Sequence, residues 1–371
     1  MKIFTSDDVL RLAKRFNNKK RNYLLVNPLQ GKHLPTEPST ALEMMNSLGK
    51  LVAEKFSSAR LVIGFAETAT AIGAVVAKNI SDDCFYIQTT RENISGTFIE
   101  FLEEHSHAPE QKLYSENFSE LINKTSEIIF VDDEFSTGKT LLNIVRQLKN
   151  KFPALNDKKI CAASIINRLS EENLAELAAE NISCVYLVKI DQKNFDADKF
   201  SIRAASEIPK ILQKTCPLSQ VPIPLQDTRF GVKIGEYFNQ CSEIGNFIAE
   251  MLGNEKFSDV LILGTEEFMF PAIISGQKLE KNFSAVTHST TRSPIGICDD
   301  KNYPINNGFK LKSFYDSTRT TFIYNLKRYD AAIIVTNAEN FSLGLENLIS
   351  ALNFYGINNI FCVEVKNVRN L

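Results

Sequence analysis

The chain has 371 residues, which is long enough for two domains that each bury a core of their own. Its 42 basic and 44 acidic residues nearly cancel, which excludes a broad basic surface for nucleic acid but leaves room for discrete anion pockets. The seven cysteines contain no C-x-x-C pair, and no apolar run reaches the length of a membrane span, so we expect a cytoplasmic protein with reduced, buried thiols.

Short apolar runs alternate with longer helical patterns, and this alternation predicts a parallel α/β structure. The predicted strands are 23–26, 60–65, 84–88, 128–131, 160–165, 184–188, 259–263, 283–288, 331–335 and 359–364. The predicted helices are 40–56, 68–79, 138–150, 170–180, 233–252, 269–278 and 344–354.

A proline-rich stretch, residues 208–228, separates two such alternations. Proline lacks an amide hydrogen and restricts the residue before it, so this stretch predicts a domain linker. The predicted domains are therefore residues 1–207 and 229–371, called the first half and the second half below.

The two halves resemble each other in three places. The similar segments, in the same order, are RLVIGFAETATAIGAVVA (60–77) and DVLILGTEEFMFPAIISG (259–276), QTTRE (88–92) and STTRSP (289–294), and IIFVDDEFSTG (128–138) and AIIVTNAENFSLG (332–344). This alignment places Glu67 beside Glu267 and Arg91 beside Arg292. It predicts an internal duplication, although strand–loop–helix units also resemble one another generically.

The stretch EIIFVDDEFSTGKTLLNIV (127–145) contains a Gly-Lys-Thr that suggests a nucleotide-triphosphate loop. That loop requires a glycine five residues before Gly138, where Asp133 stands instead. A P-loop nucleotidase is therefore disfavoured.

The same stretch suits a sugar phosphate. Carboxylates accept hydrogen bonds, so the adjacent Asp132 and Asp133, just past the strand, fit the two hydroxyls of a ribose. Small residues then open the next helix, where backbone amides and hydroxyls can converge on an anion: Ser136, Thr137, Gly138 and Thr140.

VDDEFSTGKT (131–140) resembles the phosphoribosyl diphosphate signature of type I phosphoribosyltransferases. The resemblance implies a Rossmann-like parallel sheet with helices on both faces, followed by a degenerate α/β domain of similar topology. It also implies that ribose 5-phosphate is bound by Asp132, Asp133, Phe135, Ser136, Thr137, Gly138, Lys139 and Thr140. The alternative is an ordinary strand–turn–helix with solvated acids.

In the same family, a loop after an earlier strand holds the diphosphate, and GFAETAT (64–70) has that position here. The resemblance implies diphosphate contacts from Ala66, Glu67, Thr68, Ala69 and Arg91. Glu67 departs from the family pattern, so we expect it to touch magnesium-bound water or the acceptor, or simply to cap a helix. Arg91 has a structural salt bridge as its alternative role.

Residues 92–118 follow Arg91, at the place where the family has a mobile lid. His105 and His107 lie in this segment and are candidates for protonating a leaving group or acceptor, or are solvated without a role. Lys32 and His33, in NPLQGKHLP (27–35), are candidate acceptor contacts, with surface loop chemistry as the alternative.

GFAETAT, TTRE, EEHSHA and VDDEFSTGKT together resemble the orotate-phosphoribosyltransferase-like family of tellurium-resistance (Ter) operons. That family carries a C-terminal TRSP domain, whose letters stand here as Thr291–Pro294. The second half has no paired acids, so we expect no second transferase centre but an anion pocket around Glu267, Arg292 and Ser293.

The function that the resemblance implies is transfer between phosphoribosyl diphosphate and an unidentified base, or the reverse reaction, in a Ter-linked stress-response pathway. The predicted catalytic residues are Asp132, Asp133, Arg91, His105 and His107. The resemblance also implies Mg²⁺ bound through the substrate, and either an intramolecular pseudo-dimer or a homodimer. The alternative is a non-catalytic protein that senses phosphoribosyl diphosphate or a nucleotide.

Overall fold

The computed structural model describes residues 2–16, 22–101, 111–191, 195–209, 215–253 and 255–369. The strands are β1 (Arg11–Lys14), β2 (Tyr23–Val26), β3 (Leu61–Gly64), β4 (Phe85–Gln88), β5 (Phe98–Phe101), β6 (Gln111–Tyr114), β7 (Glu127–Phe135), β8 (Lys159–Asn167), β9 (Ile182–Lys189), β10 (Leu218–Gln220), β11 (Leu225–Gln226), β12 (Val232–Lys233), β13 (Asp259–Gly264), β14 (Ser284–Ser289), β15 (Gly308–Lys312), β16 (Thr320–Tyr324), β17 (Ala331–Thr336), β18 (Asn359–Glu364) and β19 (Asn367–Val368). The α-helices are α1 (Ser6–Val9), α2 (Pro38–Lys55), α3 (Thr70–Ile80), α4 (Phe118–Asn123), α5 (Lys139–Lys151), α6 (Glu171–Ala179), α7 (Ile234–Leu252), α8 (Phe270–Leu279) and α9 (Ser342–Phe354). Within these residues, no helix is both long enough and apolar enough to cross a membrane.

Each half is built on a mainly parallel sheet. The order of the first sheet is β12-β4-β3-β7-β8-β9, in which only the β12–β4 pair is antiparallel. The order of the second sheet is β10-β18-β17-β13-β14, with every pair parallel. The predicted α/β fold class is confirmed, and every predicted strand and helix overlaps an observed one.

The two sheets have the same internal topology. The run β4-β3-β7-β8 has the same chain-order pattern as β14-β13-β17-β18. An antiparallel hairpin follows in the chain at the same place in each half: β5–β6 comes between β4 and β7, and β15–β16 comes between β14 and β17. The sequence did not predict either hairpin.

A shared layer of helices lies between the two sheets. Alternate strand residues point to opposite faces: Val62 joins the central core, whereas Leu61 and Ile63 join the outer core under α5. The central core also contains apolar residues of α2, α3, α7 and α8 and of both sheets. Helix α2 contacts α8 and helix α3 contacts α7, so the contacts between the halves are reciprocal.

The described part of the proline-rich stretch contains the short strands β10 and β11, which the linker prediction did not include. Its β10 forms the edge of the second sheet, next to β18, and its Thr228 hydrogen-bonds Gln88 at the end of β4. An edge strand tolerates flanking prolines because only one of its sides is paired, which explains why proline content alone did not reveal this strand. The predicted domain limits stay a prediction.

The crossing of α2 and α8 depends on a glycine. A Cβ atom at Gly276 would lie 2.6 Å from Cγ of Pro38 at the start of α2. Since the proline ring cannot swing away, we expect Gly276→Ala to lower the free energy of unfolding by about 1–2 kcal/mol, despite alanine's higher helix propensity. Denaturant unfolding measures this, and Pro38→Ala should restore part of the loss. A Gly276→Ala variant that is as stable as the wild type would contradict this packing.

Candidate functional site

The predicted acids lie at the end of the central strand β7. The sequence placed the end of this strand at residue 131, but β7 continues to Phe135, because Glu134 and Phe135 still pair with β8. Asp132 and Asp133 are therefore part of the strand, and both are half-buried at its carboxyl end. The sequence analysis ended this strand too early because it followed the apolar run, which stops where the acids begin.

Asp133 joins the two loops that the sequence predicts as substrate contacts. Its carboxylate accepts a hydrogen bond from the Thr68 hydroxyl at 2.9 Å. Burial raises the pKa of Asp133, whereas the hydrogen bond from Thr68 lowers it. Asp132 Oδ1 accepts the amide hydrogen of Asp133 at 2.9 Å. The loops after β3 and β7 thus meet at the carboxyl edge of the sheet, where α/β proteins bind ligands.

A tight turn leads from the acids into helix α5. Gly138 has φ +73°, and a Cβ there would come within 3.1 Å of Leu169, so glycine is required at the start of the helix. Ser136 and Thr137 are half-buried beside it, and Thr137 Oγ1 accepts the amide hydrogen of Lys139 at 3.4 Å. The turn brings small polar residues to the N-terminus of a 13-residue helix, an arrangement suited to an anion.

Phe135 and Thr140 complete this predicted set. The Phe135 side chain is only 5% exposed and belongs to the outer core under α5, so it supports the turn through packing. Thr140 is half-buried in the first turn of α5. Of the eight predicted residues, Phe135 is therefore the one whose side chain faces the core.

Part of the backbone of the predicted diphosphate loop is already hydrogen-bonded within the protein. The amide of Ala66 donates to Thr89 Oγ1 at 2.8 Å, and the amide of Ala69 donates to the carbonyl of Phe65 at 3.0 Å. The peptide between Ala66 and Glu67 is cis. Within this loop, the amides of residues 67 and 68 are the better candidates for a ligand contact.

Glu67 points away from the acids and into the contact between the halves, called the junction below. Its carboxylate lies 2.6 Å from Lys32 Nζ and accepts the amide hydrogen of Arg292 at 3.3 Å. Burial would raise the pKa of Glu67, but Lys32, Arg292 and the hydrogen bond from Thr291 together outweigh it and hold the pKa at about 2. Glu67 is therefore an ionised partner of two cations, and these contacts favour a structural role over the predicted ones.

The counterpart of Glu67 makes the reciprocal contact. Glu267 of the second half accepts the amide hydrogen of Arg91 at 2.7 Å and the hydroxyl hydrogen of Thr90 at 2.7 Å. Each half thus supplies a carboxylate to the loop after the second strand of the other half's sheet. The backbone at Arg91 is fixed by this contact.

Carboxylates also surround the side chain of Arg292. It donates to Glu92 and, at 3.2 Å, to Glu266, and it lies within 4 Å of Glu67 and Glu267. The neighbouring Ser293 donates its amide hydrogen to Thr291 Oγ1 at 3.2 Å. Because four acids already compensate Arg292, these contacts favour a role at the junction over the predicted anion pocket.

The sequence analysis gave surface loop chemistry as the alternative role of Lys32 and His33, but both side chains are buried. Lys32 is fully buried and also donates to the backbone carbonyls of Glu266 at 2.5 Å and Thr290 at 2.9 Å. His33 is 2% exposed, and burial lowers its pKa to about 3, so it is neutral at physiological pH. The predicted acceptor role of both stays a prediction. His105 and His107 lie outside the described residues.

One polar cluster near the acids was not predicted. Arg168, just beyond β8, donates to Glu134 at 2.7 Å and to the hydroxyl of Tyr23 at 2.9 Å, and its guanidinium lies 4.8 Å from the ring centre of Phe195. The available signal was an arginine three residues after the predicted strand 160–165. The cluster connects β2 to the strand that carries Asp132 and Asp133.

Two family models match the chain. Residues 9–191 match a family described as phosphoribosyl transferase, and residues 226–352 match the TRSP domain, described as C-terminal to that transferase domain. No curated protein matches the chain.

Several solved structures are similar to about half of the chain at low identity. An adenine phosphoribosyltransferase from Rhodothermus marinus shows 11% identity and a TM-score of 0.36, covering 50% of this chain and 96% of its own. An orotate phosphoribosyltransferase from Aeropyrum pernix shows 16% identity and a TM-score of 0.32, covering 50% and 89%. An adenine phosphoribosyltransferase from Trypanosoma brucei, in complex with AMP, pyrophosphate and ribose-5-phosphate, shows 15% identity and a TM-score of 0.34, covering 49% and 76%. The two family models together cover most of the chain, which therefore carries a domain of this phosphoribosyltransferase family followed by the TRSP domain that accompanies it.

Proposed function

We propose that the first half transfers ribose 5-phosphate between phosphoribosyl diphosphate and an acceptor base, in either direction. The observation that carries this proposal is the meeting of Asp133, Thr68 and the Gly138 turn at one sheet edge. Acceptor oxygens for sugar hydroxyls and a helix N-terminus for a phosphate ester are thereby adjacent.

The acids and the turn have separate tasks in this proposal. Asp132 and Asp133 accept hydrogen bonds from the ribose hydroxyls and favour the positive charge that develops at the anomeric carbon as the bond to the leaving group breaks. The turn at residues 136–138 fixes the 5-phosphate. Thr68, bonded to Asp133, aligns the diphosphate loop with the sugar.

The donor set fits Mg²⁺ as the metal. Among the described residues, no group of three or more potential ligands forms a cage. Mg²⁺ is typically bound by one or two carboxylates together with substrate phosphates, and Asp132 and Asp133 supply oxygens of that kind. When bound, the ion neutralises the charge of the departing diphosphate.

We extend the proposal to the product and to the second half. The resemblance to the Ter-linked family supports a nucleotide-like metabolite of that pathway as the product. The reciprocal contacts of Glu67 and Glu267 support a second half that occupies the place of a dimer partner.

The transferase proposal is tested by replacing the acid that joins the two loops. We expect Asp133→Asn to cut turnover by roughly 100-fold or more, because the amide loses the charge that supports the developing cation. Diphosphate release is measured with Mg²⁺, phosphoribosyl diphosphate and pooled bases. Asp83→Asn, at an exposed turn on the opposite end of the sheet, serves as the control with unchanged activity.

Two outcomes would redirect this proposal. Undiminished turnover in a folded Asp133→Asn variant would remove that residue from the mechanism. Tight binding of phosphoribosyl diphosphate without turnover on a broad panel of bases would favour the sensing protein instead.

The hydrogen bond from Thr68 predicts a pH effect. Burial raises the pKa of Asp133 and the Thr68 hydroxyl lowers it, so Thr68→Val should raise this pKa further. Because the ionised carboxylate binds the ribose, affinity for phosphoribosyl diphosphate should increase with pH through that pKa, and the increase should move to higher pH in Thr68→Val. Calorimetric titration across pH measures it. Thr68→Ser retains the hydroxyl and should match the wild type; an unmoved profile in Thr68→Val would exclude this coupling.

The ion pair between Lys32 and Glu67 should stabilise the folded protein. Lys32→Met leaves the buried Glu67 without its nearest cation, so we expect a loss of about 3–5 kcal/mol in the free energy of unfolding. Adding Glu67→Gln should recover part of that loss, as a double-mutant cycle would measure. Lys2→Met breaks an exposed pair with Glu43 and should cost less than about 1 kcal/mol. Strictly additive losses in the double variant would show that the two side chains do not interact.

A further inference from the structure

A large cleft lies between the second half and residues 91–95 of the first half, and of the described site residues predicted from the sequence only Arg91 lines it. Its volume is about 1010 Å³, similar to the upper range of small-molecule sites. Its walls are formed by residues 91–95 of the first half, by residues 227, 229 and 230, and by residues 314–317, 319, 337–340 and 364–369 of the second half.

The cleft lies beyond the carboxyl ends of β17 and β18, and β17 borders the point where the topology of the second sheet favours a ligand. Strand β14 lies on one side of β13, and the next strand of the sheet, β17, lies on the other side. The order in which strands are added to the sheet therefore reverses between β13 and β17. Ligands of open α/β sheets bind in the crevice at such a point, beyond the carboxyl ends of the strands. Residues 337–340 directly follow β17, just as residues 136–138 follow β7 in the first half.

Positive side chains line both the floor and the rim of this cleft. Arg229 pairs with Asp227 at 2.7 Å and Arg319 pairs with Glu92 at 2.7 Å. The rim carries the exposed Lys366. Because the two acids already compensate both guanidinium groups, Lys366 is the candidate phosphate contact. Guanidinium and ammonium groups recognise phosphate esters.

The cleft is nevertheless not uniformly positive. The acids that line it are Glu92, Asp227, Asp316, Glu339 and Glu364, and the amides Asn337 and Asn340 lie beside them. A bare anion would be repelled by these carboxylates, whereas sugar hydroxyls would donate hydrogen bonds to them. The mixed lining therefore suits a molecule that has both a phosphate ester and free hydroxyls.

We propose that this cleft is a second ligand site, which binds a phosphorylated sugar or a mononucleotide without transforming it. Thr336 and Asn337 stand where the first half has its paired acids, so the groups assigned to ribosyl transfer are missing there. Two residues separate residues 91–95 from β5, which begins at Phe98, and Arg369 donates to the carbonyl of Ser95 at 2.7 Å. The bound ligand therefore contacts the base of the first half's hairpin.

The test is a calorimetric titration of the full chain with D-ribose 5-phosphate. Ser136→Glu places a carboxylate in the turn of the first site and removes binding there. We expect this variant to retain one binding site, and the added change Lys366→Glu to weaken that site by at least about tenfold, as loss of a charged phosphate contact predicts. Lys281→Glu, at an exposed position outside the cleft lining, is the charge-matched control and should leave the affinity unchanged.

The wild-type background provides a second measurement that does not depend on Ser136→Glu folding well. There, Lys366→Glu should remove one class of ribose 5-phosphate sites and leave diphosphate release from phosphoribosyl diphosphate measurable. Inorganic phosphate should bind the cleft at least about tenfold more weakly than ribose 5-phosphate, because it lacks the hydroxyl donors. Binding in both backgrounds that Lys366→Glu and Lys281→Glu affect equally would overturn the proposal, as would phosphate that binds as tightly as the sugar phosphate. A chain without transferase turnover would still show the site sensitive to Lys366→Glu, so the two proposals fail separately.

Discussion

The structure depends on a reciprocal exchange of carboxylates between its halves. Glu67 reaches the backbone after β14, and Glu267 reaches the backbone after β4. Both acids are more than nine-tenths buried, so each requires compensation. Lys32 of the same half is the nearest cation to Glu67, and the opposite half adds the amide of Arg292 to Glu67 and the amide of Arg91 to Glu267. Because Glu67 belongs to the loop that also presents Thr68 to Asp133, the geometry of the candidate site is tied to the docking of the second half.

The same exchange explains why two similar halves have different surfaces. Equivalent strands, hairpins and helices place the carboxyl edge of each sheet beside the junction. The backbone topology thus fixes where a ligand binds, while the loop side chains decide what it is. The first half keeps Asp132, Asp133 and the Gly138 turn, whereas the second half has Asn337 at the corresponding edge and a wide, charged cleft.

Much of this arrangement was predictable from local sequence. Apolar runs gave the strands closely, and 359–364 coincides with β18, because a strand buried on both faces reads as a continuous apolar run. The acids beside the turn were predictable because strand, carboxylates and glycine adjoin one another. The last residues of β7 were missed since their stability comes from pairing with β8, which the chain reaches only at residue 159.

What the sequence concealed is chemistry that depends on distant partners. Lys32 lies in a polar stretch typical of a surface loop. In the structure its ammonium group contacts Glu67 and two backbone carbonyls that are more than 230 residues away from it along the chain. The alignment of Arg91 with Arg292 identified equivalent positions but not their surroundings, because one guanidinium lines the open cleft and the other is enclosed by four acids. Equivalent residues of the two halves therefore have different electrostatic environments. At the edge of the first sheet, the Thr68–Asp133 hydrogen bond holds two loops together. At the edge of the second sheet, the loops stay apart and leave an open cleft.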